Sequence, residues 1–87
     1  MENLLERLAA RLDLPAEVVA GTLRFTLTGT GRALVENHRG LLSYTESEVT
    51  VSGGSFSLRI RGDGLLLRAM NSEMLLVTGE IVGVDLL

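Results

Sequence analysis

From Thr22 onward apolar residues fall at every second position, and glycine interrupts the pattern at short intervals. Leu23, Phe25 and Leu27 alternate with Arg24, Thr26 and Thr28, as a strand with one buried face requires. Turn signals then recur at Gly29-Thr30-Gly31, His38-Arg39-Gly40, Gly53-Gly54, Gly62-Asp63-Gly64, Asn71-Ser72 and Gly79. That spacing describes a meander of hairpins. The expected fold is therefore mainly β, an antiparallel β-meander curled into a sandwich or open barrel. A short β-solenoid is the alternative, since regular glycine-bounded strands look similar in both.

The first quarter of the chain reads differently. Leu4, Leu5, Leu8 and Leu12 recur at three- and four-residue spacing with Glu2, Glu6, Arg7 and Arg11 between them, which predicts an amphipathic helix. The acidic pair precedes the basic pair, an order that suits the helix dipole. Asp13-Leu14-Pro15 breaks it, and Pro15 followed by Gly21 predicts a second short helix over 16–20. The expected organisation is one domain over 1–87, with a helical arm at 1–21 and a β-rich body at 22–87.

Two registers follow from the turn signals. Gly53-Gly54 as a two-residue primed turn would pair Val51 with Phe56, Val49 with Leu58, Glu48 with Arg59 and Glu46 with Arg61. A second such turn at Gly62-Asp63 would set Leu65 by Ile60, Leu67 by Leu58 and Ala69 by Phe56. Apolar and charged faces then separate, and each opposed ion pair adds roughly 0.2–1 kcal/mol.

A chain of 87 residues buries about 60–65% of its unfolded surface and holds a single core. It has no cysteine, which leaves neither a disulfide framework nor a thiolate metal site to support that core. A net charge of -3 and a pI near 5.0 argue against a general nucleic-acid binder, which depends on clustered cations. The longest apolar run, Met74-Leu75-Leu76-Val77, is far below the ~20 residues of a membrane-crossing helix. Met1-Glu2-Asn3 lacks the positive start of a secretory signal. Cytoplasmic residence is the expectation.

Glu36-Asn37-His38-Arg39-Gly40 holds the sole histidine and is the segment that folding needs explain least. His38 with Glu36 would supply a general base and an orienting carboxylate if both lay on one strand face. Against that, Asn and His tolerate unusual backbone angles and Gly40 suits a tight hairpin, so a structural turn or a partner contact is the favoured reading. A lone imidazole falls short of a zinc site, and no glycine-rich phosphate loop is present; no metal, cofactor or small-molecule substrate is expected. Arg59, Arg61 and Arg68 would form a basic stripe that the predicted Glu46 and Glu48 neutralise. The leucine stripe of the arm would cover one sheet face, or lie in a groove on a partner. The apolar stretch 74–87 would be a sticky sheet edge or be buried within the sheet.

Four segments together, Leu14-Pro15, Glu36-Asn37-His38-Arg39-Gly40-Leu41, Ile60-Arg61-Gly62 and Gly79-Glu80-Ile81-Val82-Gly83-Val84, resemble the YabP/YqfC family of sporulation proteins. The Asn-His-Arg-Gly segment is the specific part, and with the short N-terminal helix it is similar to the YqfC branch. What the resemblance implies is a non-catalytic protein of the mother cell of an endospore former. It would act as adaptor or scaffold for a YqfD-like membrane protein encoded nearby, peripheral to the outer forespore membrane through that partner. Asn37, His38 and Arg39 are then the expected contacts, with Glu36 supporting their loop. A self-assembling β module, a homo-oligomer built through sheet edges, is the rival. A hydrolytic or metal-dependent enzyme would need a catalytic component from another chain.

Overall fold

The computed structural model describes residues 16–87. They form seven strands: β1 (Ala16–Ala20), β2 (Leu23–Thr28), β3 (Arg32–Glu36), β4 (Leu41–Tyr44), β5 (Glu48–Ser52), β6 (Ser57–Met70) and β7 (Met74–Leu86). All belong to one antiparallel sheet in the order β1-β2-β3-β7-β6-β5-β4. The mainly β, antiparallel expectation holds. The solenoid alternative does not, because each ladder is antiparallel and β3 pairs with β7 across the sequence.

The sheet is two meanders sharing one long hairpin. β6 and β7, with 14 and 13 residues, are long enough to serve both. Their halves Leu66–Met70 and Leu75–Thr78 continue the β1-β2-β3 side, while Leu58–Asp63 and Glu80–Leu86 continue the β5-β4 side. Along β6 the register against β7 shifts three times, at Arg61/Gly62, Asp63/Leu66 and Leu67/Ala69. Such bulges bend a strand and increase its twist. Residues of both sides join a single hydrophobic core.

Glycine makes that bend feasible. A side chain on Gly62 would overlap the Glu80 carbonyl, and one on Gly79 would stand 2.7 Å from the Gly64 carbonyl. The two-residue turn predicted at Gly62-Asp63 is therefore absent. β6 runs through it, and Leu66 and Leu67 lie opposite Thr78 and Val77 on β7. The local signal is the same in both cases, because glycine marks close backbone approach as well as reversal.

Gly53-Gly54 does lie in a turn, but a wider one. Gly53 N–H donates to the Phe56 carbonyl at 2.8 Å, Gly54 has a φ of 100°, and the Phe56 ring lies where a Gly53 side chain would be. Val51 now faces Leu58, Val49 faces Ile60 and Glu48 faces Arg61, a shift of two residues from the predicted register. An even shift keeps every side chain on its expected face. That is why the burial pattern was right while the partners were wrong.

The second predicted helix is also corrected. Ala16–Ala20 is strand β1, with Ala16 opposite Leu27 and Ala20 opposite Leu23. Gly21, at a φ of 61°, turns a hairpin instead of ending a helix. The predicted helix through Leu4 and Leu12 lies outside the described residues.

The core draws on both sides: Leu23, Phe25 and Leu27 from β2, Ala33 and Val35 from β3, Val49 and Val51 from β5, Leu58, Ile60 and Leu65 from β6, and Leu75, Val77, Ile81 and Val84 from β7. Burying a large apolar side chain contributes about 1.5–3 kcal/mol, so this alternation supplies the main drive to fold. The apolar stretch after Met74 is thus largely explained. Its first half is central, between β3 and β6. Among the described residues no helix is long and apolar enough to cross a membrane.

Candidate functional site

Residues 37–40 connect the two sides, leaving β3 on one and entering β4 on the other. Glu36 ends β3, opposite Arg24 and Met74. Asn37 then takes a φ of 61°, a left-handed conformation that asparagine adopts more readily than most residues. Its main-chain N–H donates to the Glu73 carbonyl at 2.6 Å, and its side-chain amide donates to the Thr22 carbonyl at 3.0 Å. One residue thereby holds both the β6–β7 turn and the β1–β2 turn.

His38 is buried, at 6% exposure. Gly40 N–H donates to its Nδ1 at 3.0 Å, and its Nε2 lies 3.0 Å from the Asn71 carbonyl oxygen. A carbonyl can only accept and an N–H can only donate, so the partners assign the neutral ring with its proton on Nε2. Both imidazole nitrogens are engaged by main chain. Asn71 is itself shaped for this, since its side-chain oxygen accepts the N–H groups of Glu73 and Met74 at 2.8 and 2.7 Å.

Arg39 and Gly40 complete the junction. Arg39 N–H donates to the Ser52 carbonyl at 2.7 Å, and the Gly40 carbonyl accepts Ser52 N–H at 2.8 Å, which ties the segment to the end of β5. The Arg39 side chain is exposed. Among the described residues its guanidinium has no hydrogen-bond or ion partner. It borders two depressions: one of 490 Å³ lined by Thr22, Asn37, His38, Arg39, Ser72 and Glu73, and one of 610 Å³ lined by His38, Arg39, Gly40, Leu41, Met70, Asn71 and Ser72.

The structure therefore brings Asn37, His38 and Arg39 together with three other turns, and separates Glu36 from the imidazole. The left-handed Asn37 breaks the strand alternation on which a Glu36–His38 pair depended. Gly40 does not close a hairpin either, because β3 pairs with β7 and not with β4. The acceptors Thr22, Ser52, Asn71 and Glu73 act through main chain, and main-chain acceptors leave no mark in residue type. Asn71 alone carried a signal, as a turn former.

A second polar cluster lies on the outer face of the β5 side. Asp85 accepts from Arg61 at 2.7 Å and from Arg59 at 3.3 Å. The hydrogen bond from Arg61, with the nearby charges of Arg61 and Arg59, holds its carboxyl below the usual carboxylate range despite an opposing effect of burial. The predicted partners are revised: Glu46 lies in the β4–β5 connection, where its carbonyl accepts Leu65 N–H at 2.7 Å, and Glu48 accepts the Thr50 hydroxyl at 3.2 Å.

A single folded-over β-sheet with a braced Asn-His-Arg-Gly crossover defines the class, a small all-β domain. The YabP family model matches residues 20–87, and the chain belongs to that family. It is 32% identical over 74 residues to a Bacillus subtilis (strain 168) protein described as uncharacterized protein YqfC, a match that covers 85% of this chain and 80% of that one. The resemblance carried by the Asn37–Gly40 segment is thus confirmed. No solved structure matches the chain.

Proposed function

We propose that this chain is a non-catalytic sporulation protein of the mother cell, an adaptor or scaffold that binds a YqfD-like membrane protein. The observation that carries the reading is the Arg39 guanidinium, which is exposed and without a partner among the described residues, on a backbone fixed by Ser52 on one side and His38 on the other. A preorganised, charged side chain at the lip of two depressions suits protein recognition, where arginine is an enriched anchor. His38 supports the non-catalytic reading, since a general base needs a ring nitrogen within reach of substrate and both of its nitrogens meet main chain. The protein is placed at the outer forespore membrane by its partner, with Asn37 beside Arg39 in the contact and His38 and Glu36 maintaining the loop.

Co-purification of the chain with the neighbouring YqfD-like protein tests this. Arg39→Ala is the informative variant, because its side chain makes no bond among the described residues that the substitution would remove. Folded Arg39→Ala that no longer retains the membrane protein supports the adaptor reading. Retention at the wild-type level removes Arg39 from the interface, and a native chain that forms no complex refutes the reading.

A further inference from the structure

The sheet does not close on itself. β4 is the last strand of the sheet and has β5 on one side only. β6 pairs with β5 only over Ser57–Arg61, and the β4–β5 connection then takes its Gly62 and Leu65 N–H groups through the Ser47 and Glu46 carbonyls, so that past Leu65 β7 is its only strand partner. Two strand edges therefore flank an open seam. Tyr44 spans it at one end: its hydroxyl donates to the Leu65 carbonyl and accepts Leu67 N–H at 3.1 Å. At the other end lies the 610 Å³ depression with Leu41, Met70 and Arg39. Leu42, bulged out of the β4 register, is 59% exposed, and Met70 in that depression is 53% exposed.

Unpaired strand edges take an extended peptide by main-chain hydrogen bonding, with alternate side chains setting specificity. This seam offers the apolar side chains of Leu41, Leu42 and Met70 and, at its end, a cation with no partner among the described residues. We infer that it binds an extended apolar segment of a partner protein, carrying a carboxylate that meets Arg39. The inference rests on the adaptor reading and adds the mode of contact: strand addition along β4 or the Leu67–Met70 end of β6, oriented by one ion pair. Tyr44 holds the seam at fixed width.

The test uses the full chain, 15N-labelled, titrated with a short alternating threonine–valine peptide bearing one terminal glutamate, and with the same peptide bearing lysine instead. The expected result is amide shifts confined to Leu42–Tyr44 and Leu67–Met70 with the glutamate peptide, and at least ten-fold weaker binding of the lysine peptide. Arg39→Ala reduces the glutamate peptide to the level of the lysine peptide, and Leu42→Lys abolishes both. Shifts located elsewhere, equal binding of the two peptides, or no shift at millimolar peptide overturns the proposal. Concentration-dependent protection of the same amides in the chain alone overturns it in favour of a second copy, and concentration-independent protection in favour of residues 1–15. None of these outcomes depends on co-purification with the membrane protein, so the two readings fail separately.

Discussion

His38 illustrates how a residue that invites a catalytic reading serves the fold. Truncating it removes the partner of the Gly40 N–H and of the Asn71 carbonyl at part-buried positions, where each hydrogen bond contributes about 0.5–1.5 kcal/mol. His38→Ala is therefore expected to lose about 1–3 kcal/mol in equilibrium denaturation, while Arg39→Ala stays within about 0.5 kcal/mol of the native chain. Nitrogen NMR of the native ring should show a bare Nδ1 and a protonated Nε2. At Asn37 the backbone sets the order: Asn37→Gly keeps the positive φ and loses only the bond to Thr22, whereas Asn37→Val adds a strain of about 1–2 kcal/mol. Asp85 gives a pH signature. Its folded carboxyl is depressed, so its contribution is present above the unfolded value, near the ordinary 3.8, and is lost as pH falls through the lower folded value. Asp85→Asn should lower stability at neutral pH by up to about 1 kcal/mol, as for a partly exposed ion pair, and the difference should vanish in strong acid.

At the scale of elements, alternation was legible and connectivity was not. Leu23, Phe25 and Leu27, Val49 and Val51, and Leu75 and Val77 all face the core as their spacing requires. Ala16–Ala20 was misread because five residues are too few to tell one period from another, and Pro15 and Gly21 bracket a strand as readily as a helix. Gly62 and Gly79 were misread as reversals because close approach between two strands demands the same residue as a turn. Their substitution separates the two roles. Gly62→Ala meets the Glu80 main chain and is expected to prevent folding or to cost at least 3 kcal/mol, the upper part of the range for overpacking. Gly21→Ala has open space around it and pays only for its left-handed backbone, about 1 kcal/mol. Thermal unfolding of the two variants side by side checks the contrast.

For the whole molecule, one crossover connects the two sides of a sheet that shares only β6 and β7 between them. The candidate site was legible as a segment, since its residue types stand out, but its role was not, because it depends on carbonyls supplied by Thr22, Ser52, Asn71 and Glu73. Residues 37–40 brace the molecule, and among the described residues the Arg39 guanidinium is the group they leave without a partner. Native-state amide hydrogen exchange measures that bracing. If the brace is real, the N–H groups of Asn37, Arg39 and Gly40 exchange only with global unfolding, as slowly as those of Phe25 and Val77 in the core. Exchange as fast as at the exposed turn residues Ser47 and Gly54 would show an unbraced surface loop instead.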